Sequence, residues 1–209
     1  PLEQTGTVWK TTVVLILASQ SPIRKALLAN AGIAFEAVPA EVNEREVEAA
    51  AAVNGAAPQA IALALASAKA LAVSGDLVLG ADQILARDGT IFHKPRNSNE
   101  ARARLDALRG RSHQLHTAVA LASGGELIWS HIETASLTMR DFGPDERDAV
   151  LAAEGDAALG SAGAYRIEGP PLRLFARIEG DHFGILGLPL LPLLAALREH
   201  APAALERFT

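Results

Sequence analysis

The stretch Leu15-Ile16-Leu17-Ala18-Ser19-Gln20-Ser21-Pro22-Ile23-Arg24-Lys25-Ala26-Leu27-Leu28 ("LILASQSPIRKALL") runs from pure hydrocarbon into hydroxyls, a proline and two cations. With Val13 and Val14 in front of it, the apolar part over 13–19 reads as a strand buried on both faces of an α/β sheet. Ser21 and Pro22 then supply an N-cap and a proline at the first helical position, which predicts a helix through "IRKALLANA" that stops at Gly32. A strand feeding a helix N-terminus is a general anion-binding arrangement, because free backbone N–H groups and the positive end of the dipole favour phosphate or carboxylate there. Ser19 and Ser21 would be its donors and Arg24 its charge. The same dipole repels cations, so Arg24 and Lys25 signal either a bound anion or the ordinary cost of a capped helix. This stretch alone leaves both readings open.

Working outward, "AFEAVPA" (34–40) reads as a second strand and "EVNEREVE" (41–48) as a polar loop or short helix. Residues 58–73, "PQAIALALASAKALAV", form an alanine-rich helix with Lys69 near its end. "DLVLGAD" (76–82) reads as a short buried strand ending on the carboxylate of Asp82, and "QILARDGTIFHKP" alternates about Asp88-Gly89 as a hairpin does. A helix over 98–108 and a long hairpin turning at Gly124-Gly125 follow. Pro144 opens another helix, "GSAGAYRIEG" is a glycine-rich loop, "LRLFARIEG" a strand, and "LPLLPLLAALREH" a terminal helix. No repeat or low-complexity linker interrupts the pattern, so the 209 residues read as a single mixed α/β domain.

Composition narrows the function. The formal charge is -5 and the isoelectric point is near 5.7, so no basic excess advertises nucleic acid or an anionic membrane as partner. The absence of cysteine excludes disulfides, thiolate zinc sites and thiol nucleophiles. No apolar run approaches the roughly 20 residues that span a bilayer, and "PLEQTGTVWK" lacks the apolar core of a secretory signal. The expectation is a cytoplasmic protein. Only four lysines, Lys10, Lys25, Lys69 and Lys94, stand among 19 basic residues, which singles out the positions where lysine is kept.

Several residues carry candidate chemistry. No Gly-x-x-x-x-Gly-Lys-Ser/Thr or Gly-x-Gly-x-x-Gly is present, so the opening stretch is neither a P-loop nor a dinucleotide fingerprint. Asp82 at a strand end is a turn residue or else a metal ligand or general base, since ligands in open α/β sheets gather at strand carboxyl ends. Lys94, before Pro95, projects from extended backbone, as a solvated surface lysine would too. Glu41 and Glu44 offer oxygen ligands to a hard cation such as Mg²⁺, or simply make a polar loop. The six histidines have no metal-ligand spacing and read as strand and surface residues. No serine has a triad partner by motif.

In order along the chain, "LILASQSPIRKALLANAGI", "PAEVNE", "ALASAKA", "VLGADQILARDGTIFHKP", "EARARLDALRGRSH", "AGAYRIEG" and "IEGDHFGILGLPL" resemble the Maf family of nucleoside triphosphate pyrophosphatases. The resemblance spans about Val13 to Leu197. It implies an elongated, twisted mixed sheet flanked by helices, with a cleft between two lobes, as in inosine triphosphate pyrophosphatase. One domain would cover 1–209, with 1–12 as an N-terminal extension. It further implies hydrolysis of a nucleoside triphosphate to the monophosphate and pyrophosphate with a divalent metal, Mg²⁺ or Mn²⁺, in a homodimer. By position, Asp82 matches the family's proton acceptor, acting directly or through the metal. Ser19, Ser21 and Arg24 match its phosphate site, and Lys69 and Lys94 its triphosphate lysines. Glu41, Glu44 and Asp82 are then the metal candidates; Asn43 stands where the family usually has an acid.

Three positions separate the family's substrate branches. The dTTP/UTP branch has Arg, Thr and Gln, whereas the 7-methyl-GTP branch has a bulky apolar residue, Gln and Glu. Here they are Ile23, Gln83 and Glu168, so the resemblance implies 7-methyl-GTP or a related modified purine nucleotide. A carboxylate suits a purine made cationic by methylation. The competing expectations are a dTTP/UTP pyrophosphatase and a non-catalytic nucleotide-binding regulator of cell division.

Overall fold

The structure, a computed structural model, describes residues 13–53 and 55–208; the N-terminal extension assigned to 1–12 lies outside the described residues. Strand β1 (Leu15–Leu17) leads through Ala18–Ser21 into helix α1 (Pro22–Asn30). Ser21 is the N-cap, its side chain accepting from Arg24 N, and Gly32 turns the chain away at φ 70°. Strand β2 (Phe35–Ala37) lies parallel to β1, and β1 parallel to β3 (Leu77–Arg87). The alternation about Asp88-Gly89 gives the hairpin to β4 (Thr90–Phe92), with both turn residues at positive φ (51° and 77°), as a type I′ turn requires.

β5 (Ser112–Ser123) runs antiparallel to β3, β6 (Glu126–Met139) to β5, and β7 (Phe175–Glu179) to β6. The result is one mixed seven-stranded sheet in the order β2-β1-β3-β5-β6-β7, with β4 also on β3. The helices α2 (Glu44–Val53), α3 (Pro58–Leu71), α4 (Ser98–Leu108), α5 (Pro144–Glu154), the short α6 (His182–Ile185) and α7 (Leu190–His200) flank it.

The chief departure from expectation is β3. It does not end on Asp82 but continues to Arg87, so the carboxylate sits mid-strand. The polar pair Asp82-Gln83 broke the apolar run in sequence, yet β5 pairs with β3 across it, Asp82 opposite Ala118 and Gln83 opposite Thr117. The runs over 13–19 and 34–40 keep only three paired residues each, and the polar segment from Glu44 is a full helix. The four-residue α6 was not anticipated.

Alternate residues of β3 serve different layers. Leu79 and Ala81 join β1, α1 and α7 in one apolar cluster; Ile84 joins α3 in another; Leu85 joins α4, α5 and β6 in a third. Helix α3 crosses so close to β3 that a Cβ on Gly80 would strike Ala66 O and lie 2.5 Å from Ala70 N. Only glycine admits that approach, and it lowers Lys69 of α3 onto the middle of β3. Among the described residues no helix is long and apolar enough to cross a membrane.

Candidate active site

The floor of the site is a gap in the sheet. β1 pairs with β3 only through Leu79 and β4 only from Leu85, so residues 80–84 have no strand neighbour on that edge. Arg24, in the first turn of α1, fills part of the gap. Its Nη1 donates to Ala81 O at 2.9 Å and to Ser19 Oγ at 3.3 Å, and its Nε to Gly187 O at 2.8 Å. Backbone carbonyls thus hold the cation that the helix dipole would repel. Burial pushes the guanidinium below its ordinary value, and the charges of Asp82 and Glu44 oppose that shift. Ser19 lies beneath the cleft as a support, accepting from Ser21 N at 3.2 Å as well as from Arg24, whereas Ser21 lies in the cleft wall.

Above this floor, Lys69 Nζ sits 2.6 Å from Asp82 Oδ1 and 2.6 Å from Glu44 Oε1. Lys69 and Asp82 are largely enclosed, at 13% and 12% side-chain exposure, and Glu44 is half open at 54%. One ammonium therefore holds two carboxylates together, and among the described residues only Oδ1 of Asp82 is engaged. Gln83, the next residue, projects to the opposite face of β3. Its Nε2 donates to Thr117 Oγ1, Gly184 O and Ile185 O at 2.8–3.1 Å. Thr117 Oγ1 itself donates to Gly184 O, which fixes the amide with its nitrogen committed to the protein and Oε1 left as an acceptor.

Ile23, Lys94 and Glu168 also line this cleft of about 450 Å³, a volume suited to a small-molecule ligand. Lys94 and Glu168 are exposed on its rim, Lys94 on the segment after β4 and Glu168 on the glycine-rich loop. The structure thus draws Ser21, Ile23, Arg24, Glu44, Lys69, Asp82, Gln83, Lys94 and Glu168 together. It does not bring Glu41, which is exposed and outside the wall.

In place of Glu41 stands Glu48, one turn beyond Glu44 on the same face of α2. That signal was readable in sequence only once the segment was taken as helical. Asn43 lies outside the cleft wall: its Oδ1 accepts from Glu46 N at 3.4 Å, an N-cap contact that asparagine and aspartate make equally well. Arg166 and Tyr165, from the loop 160–169, complete the wall and carried no distinct sequence signal. Two of the histidines are buried strand residues on β5. His113 and His116 are 2% and 0% exposed; His113 Nε2 lies 2.7 Å from Tyr165 Oη, and burial, then the Arg87 charge, lowers the imidazole to about 4.

Among the described residues no group of three His, Cys, Asp or Glu side chains is arranged as a metal cage. The donor set does suit a hard cation that keeps waters and shares substrate oxygens, since such an ion needs only one or two protein carboxylates. Glu44 and Asp82, both paired at 2.6 Å with Lys69 Nζ, are the carboxylates that would hold it.

An open mixed α/β sheet, with a cleft of gathered cations beside paired carboxylates, defines a protein suited to a polyanionic ligand. The sequence pattern described as Maf-like protein matches residues 14–200, and the chain belongs to that family. It is 49% identical over 191 residues to a 7-methyl-GTP pyrophosphatase of Brucella abortus, covering 90% of this chain and 96% of the relative. A 7-methyl-GTP pyrophosphatase of Mesorhizobium japonicum is 51% identical with the same coverage. A nucleoside triphosphate pyrophosphatase of Nitrobacter hamburgensis is 47% identical over 193 residues, covering 91% and 96%.

Proposed function

We propose that the protein hydrolyses a nucleoside triphosphate to the monophosphate and pyrophosphate, with 7-methyl-GTP or a related modified purine nucleotide as substrate. The observation that carries the reading is the convergence of Arg24, Lys69 and Lys94 with Asp82 in one cleft at the start of α1. These residues lie far apart in sequence, and a triphosphate is the ligand whose charge matches them. The names of the relatives at 47–51% identity support the same chemistry.

In this reading the triphosphate lies along Arg24, Lys69 and Lys94, with Ser21 and the α1 N-terminus donating to phosphate oxygens. Water attacks the α-phosphorus, the new bond forms from its oxygen, and the bond to the bridging α–β oxygen breaks. Asp82 takes the proton of the attacking water on the carboxylate oxygen that Lys69 leaves open. Pyrophosphate departs against the cations. A divalent ion held by Glu44 and Asp82 would add Lewis-acid polarisation of the phosphoryl oxygens. At the base end, Gln83 Oε1 and the Glu168 carboxylate are acceptors for the donor edge of a guanine, Glu168 also meets the positive charge of an N7-methylated ring, and Ile23 supplies apolar contact.

The test is pyrophosphate release from a nucleotide panel with Mg²⁺ or Mn²⁺. The expected outcome is release that depends on the metal and is fastest with 7-methyl-GTP. Preference for dTTP and UTP would overturn the substrate. Tight nucleotide binding without release at any metal concentration would overturn the reaction in favour of a binding protein. Sedimentation of the same sample tests the homodimer that the family implies.

A further inference from the structure

Glu154 is the last residue of α5, where the helix dipole disfavours a carboxylate, and its side chain is wholly enclosed, at 0% exposure. The fold makes room for it: a Cβ on Gly169 would lie 2.6 Å from Oε2. That oxygen is buried with no hydrogen-bond partner among the described residues, while Oε1 accepts from Arg166 Nε at 2.5 Å. A buried carboxylate, half satisfied and at the wrong end of a helix, is costly to keep. Its one hydrogen-bond partner among the described residues is Arg166.

Arg166 is 41% exposed and lines the same cleft as Arg24 and Lys69. The loop that carries it is anchored one residue earlier by the buried Tyr165 Oη–His113 Nε2 contact. Engagement through Nε leaves Nη1 and Nη2 with no protein acceptor among the described residues, a planar pair of donors that matches two oxygens of a phosphate. The base-facing residues Gln83 and Glu168 offer acceptors instead, and a cation opposes a methylated, positively charged purine.

We propose that Arg166 binds the phosphate chain of the substrate and that Glu154 is a positioning residue which aims it. This inference rests on the triphosphate reading above and adds one cation to it. The experiment measures steady-state hydrolysis of 7-methyl-GTP together with calorimetric binding of inorganic tripolyphosphate, a probe that has no base and needs no turnover. Arg166→Ala is expected to raise KM and the tripolyphosphate Kd by the same factor, roughly 10- to 100-fold, with kcat changed less than about threefold. Because that variant strands the Glu154 carboxylate, the double variant Arg166→Ala/Glu154→Gln is measured beside it. Glu154→Gln alone should raise both constants by a smaller factor, and the double variant should be no worse than Arg166→Ala, whereas independent structural damage would add.

A tripolyphosphate Kd unchanged by Arg166→Ala overturns the proposal, whether or not KM rises; a rise in KM alone would put Arg166 on the base. If no nucleotide yields pyrophosphate but tripolyphosphate binding still depends on Arg166, the hydrolase reading fails and the phosphate site stands.

Discussion

Lys69 holds the Asp82 and Glu44 carboxylates at 2.6 Å each, so its ammonium is what permits two acids to face one point in a half-closed cleft. Asp82→Asn keeps that geometry but removes the basic oxygen. It is expected to lower kcat by roughly 10²- to 10⁴-fold with unchanged circular dichroism; undiminished pyrophosphate release would remove Asp82 from the chemistry. His113 gives a residue-level pH prediction. Its folded-state value near 4 lies below the ordinary 6.5, so the buried neutral ring contributes fully above pH 6.5. That contribution, about 3 kcal/mol at most, is lost as pH falls from 6.5 towards 4, where the unfolded chain takes the proton first. Glu133, pushed up by burial and by Asp181, works in the opposite sense. The measure is therefore the difference between wild type and His113→Gln: urea midpoints from pH 7 to 4 should fall more steeply in wild type. Asp82, Lys69 and Arg24 were legible in sequence because carboxylate and cations interrupt apolar or alanine-rich runs. Arg166, Glu48 and the buried histidines were not, since nothing in a polar loop or a strand discloses which neighbours a distant segment will bring.

The elements were legible wherever periodicity and turn chemistry agreed. Ser21-Pro22, Asp88-Gly89 and Gly124-Gly125 mark a helix start and two hairpins where the structure has them. The full length of β3 was not, because the polar pair in its middle is tolerated only where neither β1 nor β4 covers that edge, and coverage is a property of the assembled sheet. The contact of α3 with β3 carries an element-level prediction. Gly80→Ala forces a methyl into the α3 backbone, with Ala66 O and Ala70 N in its way. We expect a loss of about 1–3 kcal/mol in denaturant-measured stability. Because Lys69 rides on the same helix, kcat/KM should also fall. A fully stable and fully active variant would show that the helix need not lie so close.

At the scale of the whole molecule, the cleft is built from segments far apart in the chain, from Ser21 at the cap of α1 to Gly187 before α7. A ligand that bridges them should stabilise the native state as a unit. At 100 times its Kd, a non-hydrolysable triphosphate analogue is expected to add about 2.7 kcal/mol, seen as a rise of roughly 5–10 °C in Tm; no shift under saturating analogue would argue against a site shared by these segments. The mixed α/β architecture was legible from alternating helix and strand signals and from the ordered motifs. The gap on the edge of β3 was not, because it exists only between strands. Within that gap, neighbouring side chains of one strand point to opposite layers: Asp82 towards α3, Gln83 towards α6. On the reading proposed above, bond cleavage and choice of nucleobase would fall to separate compartments, divided by the thickness of a single backbone. A lineage can exchange the selecting residues for others without rebuilding the hydrolytic machinery, which gives a physical route by which one scaffold could diversify among nucleotides.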